Sequence, residues 1–393
     1  MPDDPVKHAA PLHPELGVIA LVPEEWMPRW QTRHHVLARL ARHFPTVWVN
    51  PPHDRAGVVA RHRRGGPVWR QAEGAPALTV YTPPWWLPRL HRRSAPALAL
   101  ERARLNAVRR HLVQGGARRI LLSAWQPEAA DALDLVAHDA AVYHVTDEYS
   151  FSSEETPVPA SERALLGRAD ATWFTSRALL TRKGPLARRA EFLPNGVEFA
   201  AFAAAGPEPA DLARIPHPRV GYTGWLKRQL DWDLIETLAG SRPDVHFVFV
   251  GGLSPQPGLA ERLEPLRRYP NVHFLGEKSS AELAGYPGHF DVCAMPYMVD
   301  GYTRYIYPIK LHEYLATGRP TMGTPIPALV EFAGAVRLAG GPGEWSAAID
   351  ALLSPGASSP ESAARRQELA RAHDWDVLTD RLAADLLAIL GPG

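Results

Sequence analysis

Tyr305-Ile306-Tyr307-Pro308-Ile309-Lys310-Leu311-His312-Glu313-Tyr314-Leu315-Ala316-Thr317-Gly318-Arg319-Pro320 is the most informative stretch of this 393-residue chain. A proline at the first turn, a run of helix formers, and Gly318 just before Pro320 describe a short helix with a defined start and stop. Leu311, Tyr314 and Leu315 stand at i, i+3 and i+4 and make its buried face. Lys310 and Glu313 are also three apart, so both project from another face near the helix start. A helix N-terminus presents unpaired N–H groups and a positive partial charge suited to phosphate, and Lys310 adds a full charge there. One turn along, a carboxylate can accept hydrogen bonds from two ribose hydroxyls. Phosphate then ribose, in order along one helix, is how a nucleotide diphosphate would lie. The competing reading is a surface Lys–Glu pair contributing about 0.3–0.5 kcal/mol.

Outward from this helix, short apolar runs alternate with helical patterns. Toward the N-terminus the runs are Gly17-Val18-Ile19-Ala20-Leu21-Val22, Thr46-Val47-Trp48-Val49, Leu78-Thr79-Val80-Tyr81, Ile120-Leu121-Leu122, Ala141-Val142-Tyr143 and Thr172-Trp173-Phe174. Residues 31–43, 97–114 and 127–137 between them carry helical spacing. After the turn signal Pro194-Asn195-Gly196-Val197 and an Ala/Pro/Gly-rich stretch over 200–218, the alternation restarts. Its runs are Arg219-Val220-Gly221-Tyr222, Val245-His246-Phe247-Val248-Phe249-Val250, Val272-His273-Phe274-Leu275 and Asp291-Val292-Cys293-Ala294-Met295. Such alternation predicts α/β architecture: two parallel sheets with helices on both faces. No short repeat is visible, which argues against a solenoid. The last apolar helix, from Trp375 to Leu390, follows the second half, and the reading packs this tail back on the first domain.

Composition agrees with two globular domains: 46% hydrophobic and 22% charged residues suffice for a sizeable core. Cys293, the one cysteine, lies in an apolar run and reads as core, and a lone cysteine fits a reducing cytoplasm. The first fifteen residues hold no apolar signal region, and no stretch approaches ~18 consecutive apolar residues. The formal net charge of +1 conceals an asymmetry: eighteen arginines between Met27 and Ile120 face only Asp54, Glu73 and Glu101. These arginines, Arg61, Arg63, Arg64, Arg89, Arg92 and Arg93 among them, read first as solvated helix faces. A second reading docks them peripherally on an anionic membrane or a phosphorylated acceptor, with Trp85-Trp86 beside Arg89 in its favour. No recognition motif points to nucleic acid.

The Pro308–Pro320 segment closely resembles the Pro-x-Lys-x-x-Glu-Tyr-Leu-Ala-x-Gly-x-Pro signature of GT-B glycosyltransferases related to family 4, the group with teichuronic-acid-type and other polysaccharide sugar transferases. The resemblance extends over Gly221-Tyr222-Thr223-Gly224 with Asp231-Trp232-Asp233-Leu234, Phe249-Val250-Gly251, Asn271-Val272-His273-Phe274-Leu275-Gly276, and Asp291-Val292 with Met295-Pro296-Tyr297. It implies two Rossmann-like domains facing a central cleft: residues 1–196 on the acceptor side, with the helix 376–393 packed back on them, and 197–375 binding the donor. Glu313 is then the ribose ligand, Lys310 a diphosphate ligand, Lys227 or Arg228 with Gly224 the other phosphate contact, and the Gly276-Glu277-Lys278 stretch flanks the base. Many relatives carry a glutamate where this chain has Tyr305, so Tyr297 and Tyr305 are candidates for the donor sugar. His144 and Asp147, at the end of Val142-Tyr143-His144-Val145-Thr146-Asp147, are the catalytic candidates, and a His and an Asp three apart can orient one another. The implied reaction is hexosyl transfer from a nucleotide-diphosphate sugar to a sugar, lipid-linked or small-molecule acceptor, with retention, no metal and no cofactor. Two alternatives are a sugar-nucleotide epimerase and a silent nucleotide-sugar-binding protein. A dinucleotide oxidoreductase is disfavoured because Pro23-Glu24-Glu25-Trp26, not a Gly-x-Gly-x-x-Gly turn, follows the first strand.

Overall fold

A computed structural model describes residues 10–27, 30–52, 68–84, 94–150, 155–204 and 206–391. The clusters Arg61-His62-Arg63-Arg64 and Arg89-Leu90-His91-Arg92-Arg93, with Trp85-Trp86, lie outside these residues. The chain divides into two compact units, Met1–Leu193 with Leu378–Gly393, and Pro194–Val377.

The first unit is built on eight strands: β1 (Leu16–Leu21), β2 (Thr46–Val49), β3 (Trp69–Ala72), β4 (Ala75–Tyr81), β5 (Arg119–Ala124), β6 (Ala140–Val145), β7 (Ala171–Phe174) and β8 (Ala190–Phe192). Their order is β3-β4-β2-β1-β5-β6-β7-β8, parallel except for β3, which folds back on β4. Every residue of β1, β2, β6 and β7 is buried, as expected of parallel strands covered on both faces. That is why these strands appear in the sequence as continuous apolar runs. The β3–β4 hairpin, turning at Gly74 with φ +75°, is absent from the sequence reading because Trp69-Arg70-Gln71-Ala72 is half polar, as an edge strand can be. The helix expected over 127–137 is instead a 3₁₀ turn, Pro127–Asp131, followed by the single turn Ala132–Leu135.

The second unit carries β9 (Arg219–Thr223), β10 (His246–Val250), β11 (Val272–Phe274), β12 (Val292–Met295), β13 (Thr321–Gly323) and β14 (Arg337–Leu338). All pairings are parallel, in the order β11-β10-β9-β12-β13-β14. This is the doubly wound order of a dinucleotide-binding sheet, whose direction of winding reverses between β9 and β12. Packing at that seam is tight: a Cβ on Gly221 would lie 2.2 Å from the Phe290 ring, so the position accepts nothing larger than glycine. Cys293 is fully buried in β12, and burial pushes its thiol up to about 12.

The last helix, Trp375–Leu390, ends within the first unit. There the Arg119 guanidinium donates to the carbonyls of Leu390 and Gly391, and Arg381 donates to the Phe192 carbonyl at 3.0 Å. Among the described residues no helix is long and apolar enough to cross a membrane.

Candidate functional site

In an open parallel sheet the ligand crevice opens at the carboxyl ends of the strands where the winding reverses. In the second unit that point lies beyond Thr223 of β9 and Met295 of β12. Three neighbouring strands end there in glycines of positive φ: Gly224 (+105°), Gly251 (+152°) and Gly276 (+74°). Gly224 N–H donates to Val250 O and Gly251 N–H to Gly276 O, both at 2.8 Å. A Cβ on Gly251 would meet the Gly224 carbonyl at 2.1 Å. The backbone itself therefore forms the floor here.

The helix Ile309–Ala316 crosses over from β12 to β13, with Pro308 at its N-terminus. Leu311, Tyr314 and Leu315 are fully buried, which confirms the face read from their spacing. The Tyr314 hydroxyl accepts from Thr223 N–H at 2.8 Å and from Thr223 Oγ1 at 3.3 Å, tying the helix to the end of β9. Lys310, half-buried, reaches back over the same strand end. Its Nζ lies 5.1 Å from the Tyr222 ring centroid and 2.6 Å from where a Gly224 Cβ would be. Glu313 is half-buried one turn on. Burial raises its carboxyl pKa; the Lys310 charge works against this and the Glu198 charge adds to it. Among the described residues Lys310 and Glu313 form no ion pair, so both charges remain available to a ligand.

The other candidates take varied positions. Tyr297 is buried, hydrogen-bonds Tyr222, and is bridged to Leu230 through the backbone. Tyr305 is buried, with the Arg304 guanidinium 5.9 Å from its ring centroid. Lys227 and Arg228 are exposed on the loop after Gly224; the Lys227 carbonyl accepts from Trp232 Nε1 and Arg228 N–H donates to Gln256 Oε1, both at 2.9 Å. Lys278 pairs with Asp211 at 2.8 Å and lies 5.7 Å from the Tyr286 ring centroid. The structure thus gathers Gly224, Gly276, Tyr297 and Lys310 around the strand ends, with Glu313 on the same helix, and directs Lys278 to Asp211. Sequence reading placed Tyr222 only at the end of a strand and gave it no role in the site, and it missed Tyr314 as the hydroxyl that holds the helix.

In the first unit His144 lies flat between two indoles: Trp125 at 4.1 Å and 2°, and Trp173 at 5.2 Å and 20°. The register explains this stack, since His144 pairs with Trp173 across β6–β7 and Trp125 directly follows β5 on the other side. Burial lowers the imidazole pKa to about 3, so the ring is neutral. Asp147 lies beyond the strand end, where Thr146 Oγ1 approaches it at 3.5 Å. The expected orientation of His144 by Asp147 does not occur: the indoles, not a carboxylate, hold the ring. The loop after β6 is anchored by fully buried charges, Lys183 Nζ lying 2.9 Å from Glu148 and 2.8 Å from Glu162, and by the half-buried Arg182 3.0 Å from Glu148.

This architecture is shared. The chain superposes on UDP-forming α,α-trehalose-phosphate synthase from Burkholderia xenovorans with TM-score 0.68 and 14% identity, covering 96% of this chain and 100% of that one. The E. coli trehalose-6-phosphate protein bound with UDP-2-fluoro glucose gives 0.66 and 14%, covering 94% and 98%. Anabaena HepE in complex with UDP and glucose gives 0.64 and 15%, covering 95% and 99%. These are GT-B folds, and the chain is a GT-B protein with two Rossmann-like parallel-sheet domains. More particularly, residues 205–355 match the model of the family "Glycosyl transferases group 1". The chain is also 29% identical over 177 residues to the putative teichuronic acid biosynthesis glycosyltransferase TuaH of Bacillus subtilis (strain 168). That match spans 44% of each protein, less than half the length of this relative.

Proposed function

We propose that the chain is a glycosyltransferase that moves a hexosyl group from a nucleotide-diphosphate sugar to an acceptor hydroxyl, with retention, in the synthesis of a cell-envelope or other polysaccharide. The observation that carries this reading is Lys310 at the point where the second sheet reverses, with the half-buried Glu313 one turn behind it. The helix amides and Lys310 hold the diphosphate, and Glu313 accepts from the ribose hydroxyls. As the glycosidic bond to the diphosphate breaks, negative charge grows on the leaving oxygens. A preorganised cation there is usually the largest single contribution to the rate. The neutral His144 suits hydrogen bonding to sugar hydroxyls better than service as a cation. The group 1 family match and the likeness to TuaH support the reading. The test is release of nucleoside diphosphate from UDP-, GDP-, TDP- and ADP-sugars, with NMR of the product's anomeric proton for stereochemistry. Wild-type turnover by Lys310→Met would overturn it.

A further inference from the structure

We infer that Tyr222 is a positioning residue for Lys310, and that Tyr222 and Gly224 together form a slot that aims the ammonium at the leaving diphosphate. The inference rests on the donor-site reading and deepens it. Lys310 Nζ stands over the face of the Tyr222 ring at 5.1 Å, a geometry in which the ring quadrupole attracts the cation. The same ammonium also passes so close to Gly224 that any Cβ there would lie 2.6 Å from Nζ and 2.7 Å from Cε. The left-handed φ of +105° at Gly224 independently requires glycine. The ring is itself immobilised: Tyr222 is 2% exposed, its hydroxyl donates to the Trp225 carbonyl at 3.1 Å, and it is hydrogen-bonded to Tyr297. Burial holds the phenol well above its ordinary pKa, so the ring is neutral at neutral pH.

A lysine has a flexible four-carbon stem and many rotamers. Without the ring and the close-fitting glycine beside it, the ammonium would sample positions away from the crevice, and the diphosphate would have to order it on binding. The slot does this ordering during folding. Its effect is read directly in affinity for the free nucleoside diphosphate, which carries the full charge of the leaving group.

The probe is whichever of UDP, GDP, TDP or ADP most raises the melting temperature of the full chain, with its dissociation constant measured by calorimetry. Tyr222→Leu should weaken binding about tenfold, a change of about 1.4 kcal/mol, while Tyr222→Phe, which keeps the ring, should recover most of that loss. Because Tyr222 acts through Lys310, the double variant Tyr222→Leu/Lys310→Met should bind no worse than Lys310→Met alone. Should Tyr222→Leu fail to fold, Tyr222→Met, an unbranched apolar chain that fills the space without a ring, takes its place, and the same non-additivity with Lys310→Met is expected. Tyr222→Leu within twofold of wild type, or losses that add in the double variant, would overturn the slot while leaving the donor site standing. Wild-type affinity in Lys310→Met would instead remove the donor-site reading and the slot with it.

Discussion

Glu313→Gln separates what the donor site needs from what the fold needs. The carboxylate is half-buried, and burial raises its pKa against the opposing charge of Lys310. A group whose pKa is raised on folding stabilises most when protonated, and that contribution is lost as pH rises through the folded value. At neutral pH the ionised Glu313 is therefore a burden on the empty protein, and glutamine, of the same shape and without charge, should leave its melting temperature unchanged or higher. Ligand binding should move the other way. A charge-assisted hydrogen bond contributes about 1.5–3 kcal/mol, so a loss near 2 kcal/mol weakens the nucleoside diphosphate about thirtyfold. At a concentration of 100 times the wild-type dissociation constant the ligand stabilises the wild type by about 2.7 kcal/mol, and the variant by only about 0.9 kcal/mol. For a unit of this size the melting shift falls from roughly 5–11 °C to roughly 2–4 °C. Differential scanning fluorimetry with and without diphosphate measures both quantities. A variant that keeps the full ligand-induced shift would refute the ribose role, and one whose empty form melts markedly lower would refute the electrostatic reasoning.

Gly221→Ala, whose Cβ would meet the Phe290 ring at 2.2 Å, should lower stability by about 1–3 kcal/mol or prevent folding; an unshifted urea midpoint would contradict the packing. Lys183→Met leaves the buried carboxylates of Glu148 and Glu162 facing each other, and should cost about 3–5 kcal/mol in urea unfolding, whereas a loss under about 1 kcal/mol would show that one of them already carries a proton. His34 and His144 are both held near pKa 3 by burial. Their contribution is complete above the ordinary histidine value of about 6.5 and fades as pH falls toward 3, up to about 2 kcal/mol each by pH 5. Unfolding free energies at pH 7 and 5 should show this slope, and His144→Phe should remove its share.

Much of this molecule was legible in the sequence, for a local reason. Strands of a parallel sheet covered on both faces must be apolar throughout, so runs such as Gly17–Val22 and Thr46–Val49 declared themselves. The helix at Ile309–Ala316 carries its own start, stop and 3.6-residue period, so Leu311, Tyr314 and Leu315 were assigned inward and Lys310 and Glu313 to another face without any knowledge of their neighbours. Tertiary structure alone decided which strand ends meet. Nothing in the order of residues says that β9 lies between β10 and β12, and so nothing places the Tyr222 ring under an ammonium eighty-eight positions away. Likewise His144 and Asp147 were near in sequence and looked like partners, yet strand register set the histidine between Trp125 and Trp173. Sequence periodicity reports which face of an element is buried; pairing and packing between distant elements determine what that face touches, and the chemistry of a charged group follows from what it touches.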